Sequence, residues 1–293
     1  EIVDFLNARA RENQWGFVDF NRPMVAINQW EQAEDSMYTL CGKDRIHPST
    51  DGHLVMAYLF LKAQGLAGKP VADIRIDGAG KKVTRSDNCR VSDLSVSSDN
   101  LTFTYEAKSL PYPIDTSYYD NEKHTQADAL SVIPFMDEMN YEGLSVSGLS
   151  DGYYGLTIGG EFIGRFTARE LERGINMALL QNTPQYKQAM KIRQMNEERW
   201  LKERKMREFY WVEYNLMRKT GMLWACNEAA VDTLRKYRPH DIFLQWNGDL
   251  WLQYMHKGIR EDCVNEQQDL VNQIYEQNKP IPLRIEIKKF TDL

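Results

Sequence analysis

The spacing of apolar residues changes twice along this chain of 293 residues, and each change marks a different kind of element. Between Glu1 and Gly65 the spacing is mostly helical. Ile2, Phe5, Leu6 and Ala10 recur at helical intervals, so the chain is expected to open in mid-helix. No initiator Met, signal peptide or capping residue stands before them. Phe17 and Val18, with Phe20 beyond Asp19, predict a short buried strand that runs into a long irregular loop. Ser49 or Thr50 is then placed to cap a helix, with Asp51 in the positively polarised first turn. Leu54, Val55, Met56, Ala57, Leu59, Phe60 and Leu61 make that helix apolar on nearly every side, which predicts burial, and Gly65 stops it.

Beyond a linker over Gly65–Pro70 the period becomes two. Val71–Ile76, Arg90–Val96 and Leu101–Tyr105 alternate, and Asp77-Gly78 and Ser98-Asp99-Asn100 are turn chemistry between them. A Pro-rich stretch (Leu110–Asp115) and a polar segment to about Gln126 follow. Alternation resumes at Leu144–Leu149 and Tyr154–Ile158, with Ser150-Asp151-Gly152 as the hairpin between them. These runs predict a small antiparallel β module, sandwich-like, over residues 71–165. Gly148-Leu149-Ser150-Asp151-Gly152 also fits the Gly-x-Ser-x-Gly pattern of a nucleophile elbow. That motif needs a helix after the serine, and here another strand follows, so the turn reading wins.

From Thr167 the period is helical again. Thr167-Ala168-Arg169-Glu170 is a capping box, and Leu171, Ile175, Ala178 and Leu179 share one face of a helix reaching about Asn182. Pro184 can open a second, long helix to about Lys219. Its Glu198/Lys202 and Glu203/Arg207 pairs describe a solvated face at ~0.3 kcal/mol each and carry no function. Further helices are expected from Ala225 to about Tyr237 and from Cys263 to Asn278, and Leu283–Ile287 reads as a last strand. This gives a helical extension over 166–280 and a terminal strand over 281–293.

The candidate chemistry lies in Asp44-Arg45-Ile46-His47-Pro48. Proline pushes the residue before it out of helical geometry, so His47 is held in the loop, where Asp44 can curl back toward its ring. A carboxylate accepting from one imidazole nitrogen fixes the tautomer and leaves the other free to take a proton from a nucleophile. The competing reading is a satisfied loop histidine with Asp44 as a turn former.

The block DRIHPSTDGHLVMAYLFLKAQG, taken with the strand and loop before it, resembles the last conserved block of the SGNH (GDSL-type) hydrolases. There Asp-x-x-His-Pro supplies two members of a Ser-His-Asp triad. The resemblance covers about the first seventy residues. It implies an α/β protein in which residues 1–68 are the C-terminal part of a flavodoxin-like α/β/α sandwich. It also implies an esterase, lipase or carbohydrate deacetylase, with Asp44 orienting and His47 acting as base and then acid. The chain departs from the family in lacking the Gly-Asp-Ser block and the Gly and Asn of the oxyanion hole. Together with the opening in mid-helix, this makes the chain an expected C-terminal part of a longer protein whose N-terminal part carries the serine. The later hairpin with its Gly-Leu-x-Asp-Gly turn, the Thr-x-x-Glu helix and Asn-Thr-Pro-Gln-Tyr resemble an extension of exported bacterial SGNH proteins tied to polysaccharide breakdown. That implies a periplasmic or secreted location and an ester or acetylated carbohydrate as substrate.

Composition narrows the rest. A net charge of −6 argues against a general nucleic-acid partner, and no apolar run approaches the ~20 residues that span a bilayer. Cys41, Cys89, Cys226 and Cys263 lack any Cys-x-x-Cys, so no zinc site is suggested, and no cofactor is expected. Cys226 and Cys263 fall in helical sequence and could face one another. His53 reads as structural, and His124, His240 and His256 as surface residues without metal-ligand spacing. Five of the seven Trp (Trp200, Trp211, Trp224, Trp246, Trp251) lie in the helical region. Such rings can stack on sugars, but packing area is the favoured reading, with Trp246-Asn247-Gly248-Asp249 set apart because turn residues would bring its ring near a surface. The alternative to a hydrolase is therefore a non-catalytic glycan- or partner-binding module that carries a hydrolase remnant.

Overall fold

The structure, a computed structural model, describes residues 1–117 and 124–290 and is mixed α/β. The middle of the expected polar segment after Asp115 and the last three residues lie outside the described residues. The chain forms two units, residues 1–187 with those from Pro280 onward, and Gln188–Lys279.

The first unit opens with α1 (Ile2–Asn13), α2 (Asn21–Glu31) and α3 (Thr50–Ala63). The expected strand at Phe17–Phe20 is not formed. Asp19 Oδ1 accepts from the Arg22 amide at 3.1 Å, and its Oδ2 accepts from the Arg22 guanidinium at 2.9 Å. That satisfies an otherwise orphan amide and starts α2, in which Pro23 sits harmlessly in the first turn. The helix α3 also differs from expectation. Leu54, Val55 and Tyr58 are buried, whereas Phe60 is 45% exposed, so only one face is covered among the described residues. The covered face packs with Leu40, Ile114, Ala129, Ile133, Phe135 and Met136, the last two from the short α4 (Phe135–Glu138).

The sandwich follows. Its strands are β1 (Ala72–Asp77), β2 (Lys82–Asp87), β3 (Cys89–Val96), β4 (Asn100–Ala107), β5 (Glu142–Ser147), β6 (Tyr153–Ile158) and β7 (Glu161–Thr167). Helix α5 (Ala168–Arg173), β8 (Ile175–Asn176) and, at the far end of the chain, β9 (Leu283–Lys289) complete it. One sheet has the order β2-β1-β5-β8 and the other β3-β4-β9-β6-β7. Inward residues of both, among them Ile74, Leu144, Phe103, Leu156 and Ile285, form one buried cluster. The module is not wholly antiparallel: β1 and β5 run parallel, with Ile74 opposite Leu144. The strand β2 escapes sequence patterning because it is a charged edge strand with nearly every side chain exposed, a composition that discourages pairing with other chains.

The capping box at Thr167 forms as expected, but its helix stops at Arg173 and does not continue to Asn182. Gly174 takes a φ of 94°, and Ile175 crosses into β8 to pair with Leu144. The apolar period thus follows a strand and a 3-10 turn packed on the sandwich, not a helix face. Helix α6 (Pro184–Val212) begins in this unit. Its Gln185 amide donates to Glu142 Oε1 at 3.2 Å, as does the Tyr105 hydroxyl at 2.8 Å. Complete burial pushes the Glu142 carboxyl up to about 7, against those two bonds, which favour its charged form.

In the second unit α6 passes into a π-helical turn at Glu213–Met217. The helices α7 (Glu228–Tyr237), α8 (Ile242–Tyr254) and α9 (Lys257–Gln277) follow. The core gathers Phe209, Val212, Met217, Leu234, Leu244 and Trp251. Glu213 is buried where the helix widens. It accepts from Trp251 Nε1 and from the Trp224 amide, both at 2.8 Å, and Trp224 is held at φ 62°. The Trp246-Asn247-Gly248-Asp249 stretch is not a turn but the middle of α8. Asp241 caps that helix through the Phe243 and Leu244 amides. Gly248 lets the Arg238 side chain lie on the helix, where its guanidinium grips both Asp249 oxygens at 2.6 and 2.7 Å. Cys226 and Cys263 are not bonded: Cys226 is exposed beside His256 Nδ1 at 3.3 Å, and Cys263 is buried.

Candidate functional site

The loop from Leu40 to Ser49 is closed by its own backbone. The Gly42 amide donates to the His47 carbonyl at 2.7 Å and the Ser49 amide to the Leu40 carbonyl at 3.0 Å, so Cys41 and Pro48 face each other as a bridge. Arg45 turns the loop at φ 56°. Asp44 fills the turn. Its Oδ1 accepts from the Ile46 amide at 2.9 Å and the His47 amide at 3.1 Å, and its Oδ2 accepts from His47 Nδ1 at 2.6 Å. The imidazole bond, followed by the two backbone amides, pulls the Asp44 carboxyl down to about 2. The carboxylate is therefore ionised at neutral pH, and it holds the proton on Nδ1. The His47 side chain is 83% exposed, so an incoming group can reach its ring.

The loop is pinned to α3. Gly52, in the first turn, lies so close to the loop that a Cβ there would stand 2.0 Å from the Leu40 carbonyl oxygen. Ser49 Oγ lies 3.0 Å from that same oxygen and also bonds the buried Asp51 carboxylate. Asp51 Oδ2 in turn meets His124 Nδ1 at 3.4 Å. This second acid–imidazole contact departs from the reading of His124 as a plain surface residue. The residues stand far apart in the chain, and no local pattern signals the pairing. His53 bonds the Ser49 carbonyl through Nδ1 at 3.0 Å, a backbone role.

Ser150 belongs to the turn before β6. Lys289 Nζ donates to its hydroxyl oxygen at 2.8 Å, and the Tyr154 hydroxyl stands 3.1 Å away. Among the described residues no group of three or more His, Cys, Asp or Glu side chains could hold a metal ion, and no helix is long and apolar enough to cross a membrane.

Residues 190–279 match the family described as diltiazem deacetylase C-terminal helical domain. A solved structure described as a gut microbial diltiazem-metabolizing enzyme is 41% identical and superposes with a TM-score of 0.91 over 99% of this chain. The chain spans 65% of that protein's length. No curated protein matches the chain.

Proposed function

We propose that this chain contributes the acid and the imidazole of a serine ester hydrolase of the SGNH type, with the nucleophilic serine supplied by residues upstream of Glu1. The observation that carries the reading is the 2.6 Å contact from His47 Nδ1 to an ionised Asp44, with Nε2 left open to an incoming hydroxyl. The likeness to a diltiazem-metabolizing enzyme, and that of 190–279 to a domain named for a deacetylase, support ester deacetylation as the reaction. Trp30, Met37, Ile46 and Phe60 are large apolar residues left exposed on α2, α3 and the chain between them, which supports an upstream part packing there.

In this mechanism His47 Nε2 takes the proton of the serine hydroxyl as its oxygen bonds to the acetyl carbonyl carbon. Asp44 keeps its charge and stabilises the imidazolium. His47 then gives that proton to the departing alkoxide as the ester bond breaks. In the second half it takes a proton from water as the water oxygen bonds to the acyl carbon, and returns it to the serine oxygen as the acyl–serine bond breaks and acetate leaves. Backbone amides of the upstream part would receive the oxyanion. An ester or acetylated carbohydrate is the proposed substrate. In the chain extended upstream to include the serine, His47→Ala is expected to lower kcat on a simple aryl acetate by about three orders of magnitude or more, and Asp44→Asn by a comparable or smaller factor. Turnover unchanged by His47→Ala, with the fold intact by circular dichroism, would end the proposal.

A further inference from the structure

Unit 188–279 carries a concave surface that the hydrolase reading does not use. Trp200, Arg204, Arg207, Glu208, Trp211 and Asn247 line a hollow of about 290 Å³. A second hollow of about 390 Å³ is also lined by Trp211, with Tyr237, Lys219 and Asp241 in its wall. Trp211 is thus shared by both, and it continues into a row of rings: Phe243 stands 5.2 Å from it between centroids, and Trp246 5.4 Å from Phe243. Trp246 is 66% exposed, Phe243 48% and Trp200 45%, a large cost in hydrated apolar surface for rings that have α6 and α8 to pack against. Trp200 and Trp211 stand eleven residues apart on α6, so the surface extends roughly 16 Å along that helix.

The polar groups of this surface decide what fits it. Arg204 is paired with Glu208 at 2.7 Å and Arg207 with Glu203 at 2.9 Å, and the larger hollow brings one ammonium, Lys219, and one carboxylate, Asp241. The charges are balanced locally, so an anionic polymer gains little here. An amphipathic helix would need an unbroken apolar stripe, and the ion pairs interrupt it. Ring faces set among planar amide, guanidinium and carboxylate groups suit a ligand that shows C–H faces and hydroxyl edges in alternation.

We propose that this surface binds a neutral polysaccharide chain, laid along α6 and α8 across Trp200, Trp211, Phe243 and Trp246. The proposal stands whether or not the Asp44–His47 loop takes part in hydrolysis. The test is native gel electrophoresis of the full chain with soluble xylan, galactomannan or mixed-linkage glucan cast separately into the gel, against a gel without polysaccharide. Retarded migration in at least one is expected. Phe243→Ala with Trp246→Ala should weaken the retardation by about tenfold or more, at unchanged circular dichroism, whereas Trp246→Tyr alone should keep most of it. No retardation in any of the three gels overturns the proposal. So does retardation that the double variant leaves intact, or stronger retardation by polygalacturonate than by all three neutral polymers. The readout is binding, so its failure is distinct from a failure of ester hydrolysis.

Discussion

Two carboxyl groups in this protein are moved in opposite directions by opposite environments. Asp44 stands in a turn, meets two amides and an imidazole, and is held near 2. Glu142 is wholly buried and is pushed up to about 7 from an ordinary value of 4.5. Glu142 Oε2 and Gln185 Oε1 are both buried without a hydrogen-bond partner, a setting that penalises the charged carboxylate. Between those two pH values Glu142 is protonated in the folded protein and ionised in the unfolded chain. The stability that this group contributes is therefore expected to fall, by about 3 kcal/mol, as pH rises from about 4.5 to about 7, and to stay level above. Urea unfolding at pH 5 and pH 8 measures the difference. Glu142→Gln keeps an acceptor for Tyr105 and removes the titration, so its stability should lose most of that pH dependence. An unaltered pH profile in the variant would assign the slope to other groups.

At the scale of elements, what the sequence discloses depends on how local the cause is. The Asp44–His47 contact is legible because both partners lie within one turn and Pro48 restricts the backbone between that turn and α3. The pairing of Asp51 with His124 is not, because only the folded chain brings α3 to residue 124. Gly248 illustrates a second limit. Next to Asn247 and Asp249 it imitates a turn, and only the Arg238 side chain lying over it explains a glycine inside α8. Leu171, Ile175, Ala178 and Leu179 show a third, since a helical period persists across Gly174 although the backbone leaves the helix there. Gly52 is the position where element packing is least forgiving. Gly52→Ala places a methyl against the Leu40 carbonyl, so the loop and α3 must part. A loss of about 3 kcal/mol is expected, read as a lower urea midpoint, together with weakened catalysis in the extended chain.

For the molecule as a whole, the last strand matters more than its position in the sequence suggests. Strand β9 lies between β4 and β6, antiparallel to both, and sets Ile285 opposite Phe103 and Ile158, and Ile287 opposite Leu101 and Leu156. Removing residues from Pro280 onward would strip Leu283, Ile285 and Ile287 from the core and leave two unpaired strand edges in the middle of the sheet. The truncated chain should be recovered as aggregate, or as a species with low thermal stability in calorimetry. A soluble product melting cooperatively near the full chain would contradict the central role given to β9. Leu156→Ala, by comparison, removes one side chain from the same core and should cost about 3 kcal/mol with the fold retained.

The excursion between β8 and β9 has one more effect. Gln188 opens it, and the Gln188 side-chain amide clasps the carbonyls of Gln277 and Lys279 at 2.8 and 2.7 Å, so the segment leaves and returns through one gate. On the ribosome, β6 is finished roughly 130 residues before β9, a wait of about 6–26 s at ordinary synthesis speed. For that interval the nascent sandwich lacks the strand that joins β4 to β6.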